Sequence, residues 1–129
     1  MLKKTIKYTD YDGVDRTETF YFGLNKSELA DMQVSVDGGM EKMLKKIVDA
    51  QDGKGIMDGF KMVIRKSYGI KSDDGKRFEK SEKISDEFFQ TAAYEALFEE
   101  LITNAKAASD FINGILPAGM ADSIKAAAN

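Results

Sequence analysis

The stretch that decides how this chain folds is Ile70–Pro117, IKSDDGKRFEKSEKISDEFFQTAAYEALFEELITNAKAASDFINGILP. A charged, hairpin-like segment leads into an aromatic helix, then into a short Ala-rich helix that stops at Phe111-Ile112-Asn113-Gly114-Ile115-Leu116-Pro117. Ser85 is a good N-cap for the aromatic helix, with Asp86 and Glu87 in its first turn favouring the helix dipole, and the helix should reach Ile102. Asn104 begins the last helix, which runs to about Asn113 and is closed by Gly114 and by Pro117, the single proline of the chain.

Outward from that stretch, Ile70 and Phe78 flank an Asp73-Asp74-Gly75 turn and form either a small hairpin or an ordered loop. A helix is expected from about Ile56 to Lys66, with Ile56, Phe60, Val63 and Ile64 inward. Asp52-Gly53-Lys54-Gly55 reads as a break or a kinked connection before it. Another helix is expected over Met40–Gln51, with Met40, Met43, Leu44, Ile47 and Val48 on one face, preceded by a break at Val34–Gly39. A first helix starts near Lys26, capped by Asn25 with Glu28 in the capping-box position. Leu2–Leu24 reads as a β-hairpin. Leu2, Ile6 and Tyr8 share one face, Phe20, Phe22 and Leu24 share the next, and Asp10–Asp15 supplies the turn with Gly13 free to take positive φ. Strands before helices indicate an α+β fold: an N-terminal β-hairpin followed by a mainly helical body of about four to five helices. Residues 1–117 are expected to form a single domain, and 118–129 a flexible C-terminal tail.

Composition narrows the function. With 129 residues and an apolar fraction of 43%, one well-formed core is feasible. The balance of 19 Lys and Arg against 22 Asp and Glu, net −3, gives no general attraction for phosphate backbones, so nucleic acid is not an expected partner. There is no Cys and no His, which removes thiolate chemistry, the commonest general base and the commonest transition-metal ligand together. Lys3 and Lys4 are not followed by an apolar run, so no signal peptide is expected. No run approaches the roughly 20 apolar residues of a membrane span, and the chain is expected to be soluble, cytoplasmic and without a membrane partner.

Several clusters invite a sharper reading and do not sustain it. Asp10, Asp12 and Asp15 suggest a calcium loop, but the sixth and twelfth positions counted from Asp10 hold Asp15 and Tyr21 where an EF-hand needs Gly and Glu. A solvated turn explains them. The Gly53-Lys54 pair lacks phosphate-loop spacing and no Ser or Thr follows the Lys. The pairs Asp73-Asp74 and Glu99-Glu100 point different ways and sit in no apolar pocket that would separate their pKa values. No catalytic residue, metal or cofactor is expected, and the chain is not expected to be an enzyme.

The aromatic helix carries more. Phe88, Phe89, Tyr94, Leu97, Phe98, Leu101 and Ile102 cover more than the roughly 100° stripe that packs a helix onto its own core. Such a width more often marks a helix buried between two layers than a binding face, yet the excess is also what a partner-binding or self-associating protein shows. The candidate partner-binding side chains are Phe88, Phe89, Tyr94, Phe98, Leu101, Phe111, Ile112 and Ile115.

Lys66-Ser67-Tyr68-Gly69-Ile70, Asp74-Gly75-Lys76-Arg77-Phe78, Phe88-Phe89-Gln90 with Tyr94 and Leu97-Phe98, and Phe111–Pro117 together resemble the small tail assembly chaperones of long-tailed bacteriophages and prophages, particularly those of Gram-positive hosts. The junction Phe22–Leu29 is also similar, so the resemblance covers nearly the whole chain. These are packing and turn patterns rather than a chemical motif. The resemblance implies a protein of the host cytoplasm that binds the tape measure protein, keeps it soluble, helps recruit the tail tube protein and is absent from the finished virion. It implies no catalytic residues. A structural tube or connector subunit and a non-catalytic adaptor are the rival readings.

Overall fold

The computed structural model describes residues 1–35 and 53–117. The elements are β1 (Leu2–Thr9), β2 (Asp15–Phe22), α1 (Lys26–Ser35), α2 (Gly53–Ser67), β3 (Tyr68–Lys71), β4 (Phe78–Glu79), α3 (Glu82–Phe89), α4 (Ala92–Thr103) and α5 (Ala105–Ile115). The fold is α+β, with an N-terminal antiparallel hairpin and, among the described residues, five helices. The expected Met40–Gln51 helix and the Ala118–Asn129 tail lie outside the described residues.

The strands form one antiparallel sheet in the order β1-β2-β3-β4. Register in the first hairpin runs from Leu2 opposite Phe22 to Thr9 opposite Asp15. Its alternation is the reason one face is apolar: Ile6 and Phe22 are buried while Thr5 and Thr19 meet on the other face, 3.0 Å apart. Gly13 takes φ +81°, as its turn requires. The segment 67–81 is the hairpin rather than the loop, turning at Gly75 with φ +75° and held by Ser72 Oγ donating to Asp74 at 2.7 Å.

The first turn is tied by charge. Asp10 accepts from the amides of Asp12 and Val14, each at 2.9 Å, and from the Arg16 guanidinium. Arg16 first, then the Val14 and Asp12 amides, hold the Asp10 carboxyl below its usual range. A carboxyl lowered in the folded state stabilises above its ordinary titration near pH 4 and loses that contribution as pH falls through the lowered value. Acid unfolding followed by circular dichroism should therefore show an Asp10→Asn variant losing less stability between about pH 4 and pH 2 than wild type. Equal acid sensitivity would contradict this account.

Helix α1 runs through Val34 and Ser35, where a break is expected. The other helices differ from expectation in three places, each with a local cause. The aromatic helix does not start at Ser85. Ser81 is the N-cap, its side chain accepting from Ile84 N at 3.0 Å, while Ser85 is buried and donates to Arg65 O at 3.1 Å. Nor does it run unbroken to Ile102. Thr91 is extended (φ −93°, ψ 154°), its hydroxyl donating to Phe88 O at 2.7 Å and accepting from Tyr94 N at 3.2 Å. A Thr that satisfies both helix ends stops one helix and starts the next. Finally, Gly53 and Gly55 are inside α2, and Gly114 is inside α5 rather than closing it. Gly114 sits where Leu2 packs closely: a Cβ there would lie 2.8 Å from Leu2 Cδ1, so the Leu2 side chain would have to shift to admit one. The helix ends one residue later, where Leu116 is extended (ψ 148°) ahead of Pro117.

The core gathers side chains from both hairpins and the helices. Phe22, Val63, Ile64, Leu97, Leu101, Phe111 and Ile115 are almost wholly enclosed. The Phe60, Val63 and Ile64 face of α2 is inward as its periodicity predicts. Helix α4 lies across β1 and contacts α2, α3 and α5. Leu24 N donates to Ile115 O at 2.8 Å, which satisfies a carbonyl at the end of α5 and docks it onto the strand–helix junction.

Candidate partner-binding face

Of the eight side chains expected to meet a partner, Phe88, Leu101, Phe111, Ile112 and Ile115 are core residues. Phe88 stacks on Tyr68 with centroids 4.1 Å apart and meets Phe22 at 5.8 Å, so its ring is fully used within the chain. The wide aromatic stripe is largely explained by burial between layers. Phe89, Tyr94 and Phe98 are different: they are half-buried and form a continuous row. Phe89 and Tyr94 stack at 4.1 Å and 20°, and Tyr94 and Phe98 at 5.9 Å and 25°.

The break at Thr91 assembles this row. In one continuous helix, residues five apart would diverge by about 140°, at about 100° per residue, and Phe89 could not face Tyr94. The turn at Gln90-Thr91 rotates α3 relative to α4, so Phe88 points into the core while Phe89 folds back onto Tyr94. Along α4 the face continues by four-residue steps from Tyr94 to Phe98 to Ile102, the last 38% exposed.

Helix α2 supplies the other wall, which the sequence reading did not single out. Lys61 Nζ lies 5.7 Å from the centre of the Phe98 ring, and Arg65 Cζ lies 4.6 Å from that of Phe89. Arg65 also pairs with Asp86 at 2.8 Å, linking α2 to α3. Met57, 40% exposed, shares this face of α2 at the same four-residue spacing. Periodicity at 57, 61 and 65 was the available signal, but nothing in the sequence placed it beside the aromatics. Burial raises the Tyr94 phenol above its usual value, against an opposing effect of Arg65, so the row is uncharged at neutral pH.

The remaining concavities offer less. A cleft of about 470 Å³ lies beside Met1, Gly23, Asn25, Glu28, Phe78 and Lys80. Its two charged groups are committed to each other at 2.7 Å, and Glu28 also accepts from Asn25 N in the capping box at 2.9 Å. Among the described residues no group of three or more acidic side chains is arranged to hold a metal, and no helix is long and apolar enough to cross a membrane.

A family model described as phage tail assembly chaperone matches residues 1–129. No curated protein and no solved structure matches the chain.

Proposed function

Because this chain belongs to the phage tail assembly chaperone family, we propose that it binds the tape measure protein during tail morphogenesis and keeps it soluble until tail tube subunits are recruited. In this reading the protein acts in the host cytoplasm, contributes no catalysis and leaves before the virion is complete. The observation that carries the binding surface is the half-buried row Phe89–Tyr94–Phe98, extended by the exposed Ile102. A long helix with one apolar side is the kind of ligand that such a strip accommodates, through side chains at i, i+3, i+4 and i+7.

The test is co-expression with a tape measure protein from the same genome, followed by pull-down and affinity measurement. Phe98→Ser and Ile102→Ser should each leave a folded protein, and loss of a central aromatic anchor should weaken binding by about 30-fold, or about 2 kcal/mol. Binding should persist in moderate salt, because apolar burial is not screened as ion pairs are. Absence of binding by wild type overturns the function. Undiminished binding by both variants moves the surface elsewhere.

A further inference from the structure

The aromatic row has an electrostatic border of a definite kind. Glu95 and Glu99 follow Tyr94 and Phe98 by one residue each, so they lie about 100° further round α4, on the solvent side of the row. Both are exposed, and neither forms an ion pair among the described residues. The opposite border is not acidic: Arg65 is held by Asp86, and Lys61 lies over Phe98. The apolar floor between these borders runs from Phe89 through Tyr94 and Phe98 to Ile102, about three helical turns.

We propose that this floor receives an amphipathic helix that carries Lys or Arg along one flank of its apolar stripe, the cations meeting Glu95 and Glu99. The inference rests on the binding face assigned above and deepens it by naming the chemistry of the occupant. Apolar contact supplies the affinity. The acidic border on one side only makes the two directions of a bound helix inequivalent, because reversing the helix carries its basic flank away from α4. Rim charges act mainly on specificity and encounter rate, so the border selects which helix binds and how it lies.

Two synthetic helical peptides with the same apolar stripe, one flanked by Lys and the other by Glu, test this directly. Wild type should bind the Lys peptide about 10-fold more tightly at low salt, and the preference should shrink at about 0.5 M salt. The Glu95→Lys/Glu99→Lys double variant should reverse the preference, and Glu95→Gln/Glu99→Gln should abolish it. Phe98→Ser should weaken both peptides alike. Equal binding of the two peptides by wild type overturns the proposal, as does failure of the Lys peptide to bind. A wild-type dimer that Phe98→Ser dissociates, with no peptide binding, would assign the row to a second copy and also overturn it. Capture of the tape measure protein together with indifference to peptide charge would leave the proposed function standing and remove only this inference.

Discussion

Replacing Phe22 with alanine should cost about 3–5 kcal/mol of folding stability, the usual range for deleting a buried phenyl ring. Phe22 is fully enclosed, and its ring meets Tyr68 at 5.6 Å, Phe88 at 5.8 Å and Phe111 at 5.2 Å. It therefore joins the first hairpin, the second hairpin, α3 and α5 at one point. The three remaining rings, from three separate elements, cannot all shift to fill the space, so most of the cavity should persist. Total stabilities of ordinary domains are about 5–15 kcal/mol, so the loss is a large fraction of what is available. Urea unfolding should show a lower midpoint with little change in slope. Phe98→Ser, removing a half-buried ring, should cost far less. Similar losses at the two positions would mean that the row belongs to the core.

The second large effect is expected at Lys80. Its ammonium, on a side chain only 19% exposed, donates to Gly23 O at 2.6 Å, to Lys66 O at 3.0 Å and to Glu28 at 2.7 Å. It thereby ties the end of β2, the end of α2 and the start of α1 to the segment after β4. Lys80→Met preserves much of the aliphatic stem, but removes the ammonium that lies 5.3 Å from the Phe78 ring centre and leaves two carbonyls and a carboxylate without their cation. Hydrogen bonds to charged groups contribute about 1.5–3 kcal/mol, so a loss of about 2–3 kcal/mol is expected. Lys106→Met is the matching control. Its pair with Asp110 is on the surface, with the Lys side chain 87% exposed, and its removal should cost less than about 0.5 kcal/mol. Thermal unfolding of the two variants in parallel checks the contrast.

The two large effects differ in how far the sequence announces them. Phe22 stands in a period-two pattern beside Phe20 and Leu24, and that spacing alone puts it on a buried face. Lys80 stands in a charged run, Lys76 to Lys83, that reads as solvated. Its role arises because a hairpin returns it to three backbone and side-chain acceptors brought from 14 to 57 residues away.

The same division runs through the candidate site. Local chemistry, with partners within a few residues, was legible from residues alone: the Gly13 turn, the Asn25–Glu28 capping box, the inward face of α2 and the Asn104 cap of α5. Interactions that depend on chain return were not. Ser85 has the chemistry of a cap, but Arg65 O, twenty residues earlier, claims its hydroxyl. Gly114 has the chemistry of a helix stop, but it lies inside α5, close against the Leu2 side chain of β1.

The aromatic abundance of 88–102 was plain in the sequence, and which rings are core and which face solvent was not. That partition is set by a rotation of the chain at Thr91, where one hydroxyl serves the end of α3 and the start of α4. Composition and periodicity determined that this is an α+β chain without histidine or cysteine chemistry, rich in aromatic contact. Only tertiary packing decided that Phe88, Leu101, Phe111, Ile112 and Ile115 are fully enclosed, while Phe89, Tyr94 and Phe98 stay half-buried at the edge of the core. Burial depends on what the rest of the chain brings to the other side of a helix, and a helical period records only that a side exists.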